Sequence, residues 1–407
     1  MTVKEFIQEN FAKTIRNNTE DIPSATNKDY VLLGLPFPYT VPCTDNKFLE
    51  MYYWDTYFTN VGLIADGNIE LAKSNIDNML WLVDKYGLMP NGNLKVYLNR
   101  SQPPFLYLGV KDIYNVTGDK NWLSKAYDTL CKEYDFWQTK RLAPNGLNFY
   151  GNHTDIDPET IEKLYKDYSR RTGGFATDNY ELKCKAAHSV RTFVESGWDC
   201  NSRFGIDGEF FNPVDLNSLL HGFEKQMSEF SKVTGKGEEE LWSNRAEVRK
   251  EKMLRFMWNE KEKLFLDYNF KSGKFSTVIS AASVYPAFTG ITCDKNNTNN
   301  LMNRLLLKYG VSASAPGKDV KGFQWDYPNI WPPVQYIAYK ACINCGLYET
   351  AKSVRDRYIN LIDTSFGKTN NLWEKYDGNT GEVANQDYNA PAMMGWTSGV
   401  YLYFENI

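Results

Sequence analysis

Histidine is scarce in this chain, with three in 407 residues, and the scarcity removes several kinds of chemistry. His153, His188 and His221 stand apart; none belongs to an H-E-x-x-H pair or to a cysteine at metal spacing, which excludes the usual zinc hydrolases. The same isolation disfavours a sugar epimerase built on catalytic histidines. A G-x-S-x-G elbow, a P-loop and a G-x-G-x-x-G turn after a strand are all missing, so esterases, kinases and dinucleotide enzymes lose their usual support. No metal and no cofactor is expected. Charge of one sign is missing too: 46 Lys and Arg against 50 Asp and Glu give a net charge of -4. The basic residues are scattered, leaving no stripe to neutralise phosphates, so nucleic acid and anionic polymers are not expected partners.

Long apolar runs are also absent. No segment approaches the roughly 20 apolar residues of a membrane span, and Met1 to Asn18 is interrupted by Lys4, Glu5, Glu9, Lys13 and Arg16, unlike the core of a secretion signal. Seven cysteines are too few, and odd in number, for a disulfide framework,. Together these features predict a soluble, cytoplasmic protein; the oligomeric state stays open. Cys342 and Cys345 form a lone C-x-x-C inside an apolar helical pattern, which reads as core packing rather than metal or redox chemistry.

Aromatics are abundant, 15% of the chain with 11 Trp and 27 Tyr. They serve a large core, and flat rings with polar edges also stack on sugars. Helical spacing recurs throughout. Ile69, Ala72, Ile76, Met79, Leu80 and Val83 share one helix face before Gly87, and Leu216, Leu219, Leu220, Phe223, Met227 and Phe230 repeat the pattern before Gly235,. A pair from about Pro332 to Cys345 and from Glu349 to Ile362 is joined so briefly that it predicts antiparallel packing. Further helices are predicted near 3–17, 51–65, 104–116, 121–138, 179–194, 237–257, 296–308 and 386–404, and strand signals are few, with Leu264 to Tyr268 the best,. The fold class is therefore all-α. About a dozen helices without a linker predict a single domain over 1–407, closed into a toroid of inner and outer helices, with loops at one end meeting over a pocket.

Two carboxylate-bearing segments carry the chemistry: Glu195-Ser196-Gly197-Trp198-Asp199 and Trp373-Glu374-Lys375-Tyr376-Asp377. A carboxylate between small and aromatic residues sits where burial and neighbouring charges can move its pKa, and two such groups held apart suit cleavage of a glycosidic bond. Taken singly, Asp199 could cap a helix and Glu374 could pair at the surface with Lys375.

Five segments, taken in order, resemble the trehalase-type glycoside hydrolases: FLEMYYWDTY at 48–57, PNGNLKVYLNRSQPPF at 90–105, ESGWDCNSRF at 195–204, QWDYPNIWP at 324–332, and WEKYD at 373–377 followed by GWTSG at 395–399. The resemblance spans residue 40 to the end and implies an (α/α)6 barrel and an inverting hydrolase of a small α-glucoside, α,α-trehalose first. It makes Asp199 the general acid and Glu374 the general base that activates water. It puts Trp54, Asp55, Asn91, Arg100, Gln102, the backbone at Gly197, Trp325 and Arg171 around the sugar, with Arg170 competing for the place of Arg171 and Asp326 a neighbouring wall residue. Arg and Asn offer several donors to vicinal hydroxyls and Asp accepts from them.

Departures from the family pattern fall on recognition. Asp45-Asn46-Lys47 stands where the family has Gly-Gly-Arg, so Lys47 replaces a bidentate guanidinium. Leu94 stands in place of an Arg and Gly173 in place of a Glu, and Gly381 to Asn385 replaces a glycine-rich lid. Another small α-glucoside, such as a glucosylglycerate-like compound, is the alternative substrate. A sugar-binding relative without turnover is the non-enzymatic alternative.

Overall fold

A helix that is apolar on every side has to be surrounded by other elements, and Tyr53–Ala65 and Gly395–Glu405 are of this kind, buried along almost their whole length. The computed structural model describes residues 1–27, 30–45, 47–392 and 395–407. Asn46, one of the departures noted above, lies outside the described residues. In it Tyr53–Ala65, Leu106–Thr117, Val214–Thr234, Tyr285–Thr289, Pro332–Asn344 and Gly395–Glu405 form an inner ring, each packing on the next and the last on the first. Outside run Val3–Asn10, Ile69–Tyr86, Lys120–Lys140, Glu239–Phe256, Lys295–Leu305 and Tyr348–Thr369.

Glycine closes the ring. A Cβ on Gly399 would stand 2.1 Å from the Phe58 carbonyl oxygen, and one on Gly62 would stand 2.4 Å from the Gly399 Cα. The backbones of the first and last inner helices therefore touch, which only glycine permits. The outer helices are amphipathic as their spacing predicts: Ile69–Tyr86 buries Ala72, Ile76, Met79, Leu80 and Val83 and ends at Gly87 with φ +75°,. Cys342 is buried in the main apolar cluster and Cys345 beside it, and all seven cysteines are free.

Three departures from the sequence expectations bear on the site. The helix Pro158–Arg171 was not predicted, although Asp157 caps it, Pro158 opens it, and Ile161, Leu164, Tyr165 and Tyr168 follow helical spacing,. It pairs with Tyr180–Ser196 over a small apolar cluster of Tyr168, Ala186, Val190, Phe193, Phe204 and Phe211. Of the helix predicted over 386–404, Gly395–Glu405 is helical and residues 385–391 form an irregular loop, while Met393 and Met394 lie outside the described residues. The strand predicted at Leu264 to Tyr268 divides into Leu264–Phe265, paired with Trp258–Asn259, and Tyr268–Asn269, paired with Phe211–Asn212 and Lys274–Phe275. Every strand among the described residues is two residues long, so the sheet elements only pin loops.

Candidate active site

A cavity of about 420 Å³ is lined by Lys47, Trp54, Asp55, Asn91, Arg100, Gln102, Arg171, Gly197, Asp199, Trp325 and Glu374. The residues singled out in the sequence for catalysis and for contact with sugar thus line one cavity. Pro42, Phe48, Tyr52, Tyr97, Val194, Gln324, Trp331, Tyr388 and Trp396 complete it.

The Asp199 side is built on a helix end. Tyr180–Ser196 stops at Gly197, whose φ of +70° is the left-handed conformation that suits glycine,. A Cβ there would also fall 2.7 Å from the Trp54 indole. Glu195, one turn earlier, is fully buried; its carboxylate accepts from Arg141 at 2.7 and 2.8 Å, from the Ser101 N–H at 2.8 Å and from the Gly151 N–H at 2.5 Å. Glu195 therefore ties the helix end to the Asn99–Ser101 loop rather than facing the cavity. Beyond Asp199 the chain is held from the other side, where the Gln324 amide donates to the Asp199 carbonyl at 2.8 Å and Asp326 accepts from the Ser202 N–H and hydroxyl at 2.9 and 2.6 Å. Asp326 is completely buried and shapes the wall from behind.

The Asp199 carboxyl itself is 37% exposed at the cavity, with Arg171 Nη1 3.7 Å away. Burial within the surrounding protein raises its pKa, and the Arg171 and Arg100 guanidinium groups pull in the opposite direction,. Arg171 is also held by Asp167 and Asp387, each at 3.0 Å. Arg170, its rival in the sequence, does not line the cavity; it is 53% exposed and pairs with Asp167 and Asp387. Asp55 has its carboxyl pushed well above the usual range, by burial first and then by Glu374 and Asp199.

The Glu374 side is built on loops. Glu374 Oε2 accepts from the Lys375 ammonium at 2.7 Å and Oε1 from the Tyr388 hydroxyl at 2.7 Å, while Trp396 Nε1 donates to the Glu374 carbonyl at 3.2 Å. Lys375 is completely buried, so this pair is not a surface one. A set of tryptophans joins the two sides: Trp325 stacks on Trp331 at 3.9 Å and lies 5.0 Å from Trp198 and 5.5 Å from Trp54. Trp54 and Trp325 are 1% and 2% exposed, so they present rigid edges to the cavity. Gln102 accepts from the Trp54 N–H at 3.3 Å, and Asn91 donates to the Val194 carbonyl at 3.0 Å; both amides spend part of their capacity on holding loops. Arg100 lies over the Tyr97 ring at 4.5 Å.

Residues 2–406 match the family described as Trehalase. The chain belongs to the trehalase family. A periplasmic trehalase of Xanthomonas campestris pv. campestris strain 8004 is 31% identical over 438 residues, covering 100% of this chain and 73% of that one. A periplasmic trehalase of Escherichia coli O8 strain IAI1 is 31% identical, covering 93% and 70%. Among solved structures, neutral trehalase Nth1 from Saccharomyces cerevisiae superposes with a TM-score of 0.76 at 23% identity, covering 100% of this chain and 80% of that one. The GH63 mannosylglycerate hydrolase from Thermus thermophilus in complex with Tris and D-glycerate gives 0.64 at 14% identity, covering 90% and 96%. At those identities the two structures speak for the fold, the (α/α)6 barrel. Membership of the trehalase family makes the chain a glycosidase.

The cytoplasmic expectation is corrected by these relatives, which are named periplasmic trehalases. Its basis in cysteine was weak for a physical reason: all seven thiols are unpaired and only Cys293 is exposed, so the fold needs no disulfide and the count carries no mark of compartment. Among the described residues no helix is long and apolar enough to cross a membrane. None of the three histidines lines the cavity, and burial lowers the pKa of His153 to about 4 and of His221 to about 3.

One lining residue, Tyr388, was not foreseen: it carries no motif and lies in the stretch assigned to a helix over 386–404. Leu94 and Gly173, noted as losses from the family pattern, do not line the cavity, and Leu94 is buried at 2%. Lys47 does line it, but its ammonium donates to the Asn389 carbonyl at 2.8 Å.

Proposed function

We propose that this chain is an inverting hydrolase of α,α-trehalose, acting as one catalytic unit over residues 1–407, with Asp199 as general acid and Glu374 as general base. The observation that carries the roles is the contrast between the two carboxyl groups at one cavity. Asp199 is pushed toward its protonated form by burial, which suits a proton donor. Glu374 accepts through both carboxyl oxygens, from an ammonium and a phenol, which fixes its orientation at the cavity. In the proposed step Asp199 gives its proton to the glycosidic oxygen as the bond to the anomeric carbon breaks. Glu374 takes a proton from a water that attacks that carbon from the opposite face. One glucose leaves with its configuration retained and the other is formed as the β-anomer.

Asp55, Asn91, Arg100, Gln102, Arg171, Lys47, the edges of Trp54 and Trp325, and the Gly197 backbone surround the sugar in this reading. The relatives' names support trehalose as substrate and the periplasm as location. A second reading, another small α-glucoside, is favoured by one observation: the Lys47 ammonium, standing near the place of a family arginine, is engaged by Asn389, which leaves one donor fewer for a glucosyl unit. Proton NMR of the protein with trehalose beside a panel of α-glucosides tests both. Early β-glucose together with α-glucose from trehalose supports the first reading, and β-glucose only from another compound supports the second. Silence throughout would point to a binding protein.

A further inference from the structure

The 385–391 loop reaches Glu374 directly and Asp199 by way of Arg171, through consecutive residues. Tyr388 donates to Glu374 Oε1 at 2.7 Å, and Asp387 accepts from Arg171 Nη1 at 3.0 Å, the same nitrogen that stands 3.7 Å from Asp199. The loop is pinned on every side. Asp387 is 4% exposed and also pairs with Arg170; Lys47 donates to the Asn389 carbonyl; the Asn385 side chain accepts from the Ala390 N–H at 3.1 Å; and Lys375 sits 3.9 Å from the Tyr388 ring centre. Asp387 adopts φ +67°, an uncommon conformation for a residue other than glycine. It turns the chain so that neighbouring side chains reach opposite sides of the site.

We propose that Tyr388 and Asp387 are positioning residues for the two halves of the reaction: Tyr388 orients the base and favours its charged form, and Asp387 holds Arg171 back from the acid. The proposal rests on the assignment of Asp199 as acid and Glu374 as base. The charged and titratable groups around Glu374 are Lys375, Asp55 and the neutral Tyr388; those around Asp199 are Arg171, Arg100, Asp387 and Asp167. Burial pushes the Tyr388 hydroxyl well above its ordinary pKa, with Glu374 adding to the rise, so it remains a proton-bearing donor throughout the working range.

The signs follow from these partners. Removing the Tyr388 hydroxyl takes a donor from Glu374 Oε1, so the acid limb of the rate profile moves up. Neutralising Asp387 leaves the Arg171 guanidinium free for Asp199, so the pKa of the acid falls and the basic limb moves down. Each variant should therefore narrow the profile from a different side.

The test is the pH dependence of kcat/KM for the full chain, Tyr388→Phe, Asp387→Asn and Glu374→Gln on the best α-glucoside of the panel, with melting temperatures alongside. Tyr388→Phe should raise the acid limb by about half to one unit, a loss of about three- to tenfold on that side, with the basic limb unmoved. Asp387→Asn should lower the basic limb and leave the acid limb in place. Limbs that stay in place while KM rises would show that the loop only holds sugar, and limbs in place with a lowered melting temperature would show that it only supports the fold; either overturns the proposal. Turnover retained in Glu374→Gln would instead remove the base assignment itself. Carbon-13 NMR titration of glutamate-labelled protein, with Glu374 identified by the Gln variant, reads the Tyr388 effect without turnover, and an unchanged Glu374 titration in Tyr388→Phe would overturn it.

Discussion

Asp199 and Glu374 face one cavity but are held in opposite ways. Asp199 follows a helix that ends on glycine and is locked by the buried Glu195–Arg141 pair and two backbone N–H groups. Glu374 sits between a helix end and a two-residue strand, and its side chain is fixed by a neighbouring lysine and by a tyrosine from an irregular loop. The first arrangement makes a rigid wall, because every partner of Glu195 belongs to the packed scaffold. The second depends on a loop whose contacts are polar, and such loops open more easily than cores.

The comparison can be broken most severely at the carboxyl groups themselves. Under the proposed roles, Asp199→Asn and Glu374→Gln should each cost about 10²–10⁴ in kcat with the melting temperature little changed, since each would remove a proton-transfer group and almost no volume. Glucose release measured beside thermal unfolding checks this, and near-normal rates in either variant would dismiss its assigned role. Next is Glu195→Ala, which strands a buried guanidinium and two backbone donors and should cost about 3–5 kcal/mol in a denaturant titration. If Glu195→Ala proved no more destabilising than Glu374→Gln, the contrast between scaffold and loop would collapse.

Gly197→Ala should come third, at about 1–3 kcal/mol, because it combines a left-handed backbone with a 2.7 Å approach to Trp54,. A fall in kcat larger than the stability loss explains would show that the turn aims Asp199. The smallest effect is expected from Lys47→Ala. Its side chain is exposed and donates to a loop carbonyl, so stability should change by about 0.5 kcal/mol or less. A KM rise of more than about tenfold would assign Lys47 to the sugar directly, in keeping with its sequence position.

Much of this was legible in the sequence where a pattern repeats. The spacing of Ile69, Ile76, Met79 and Val83 predicted a helix face because each turn needs its own apolar contact, and the glycines at 87 and 235 marked real helix ends. Legibility failed where the pattern was polar or irregular. Pro158–Arg171 carries charge on most turns, which hid its start signal, and it holds Arg171 at the cavity. The apolar residues near 390 extended a helical reading backward from Gly395, although Asp387 turns the chain there. Tyr388 was invisible because a single tyrosine among 27 has no spacing to distinguish it.

Periodicity and composition alone determined an all-α chain without a disulfide framework, and the two carboxylate segments with their flanking motifs marked it as a sugar-cleaving enzyme. These properties are local: a helix face, a helix end and a short motif are each written within a few residues. Only the tertiary structure decided that Glu195 is an anchor, that Arg171 rather than Arg170 faces the cavity, and that Asp387 and Tyr388 reach Arg171 and Glu374 in turn. Each of those outcomes depends on partners from 14 to more than 200 positions away, brought together by closure of the ring.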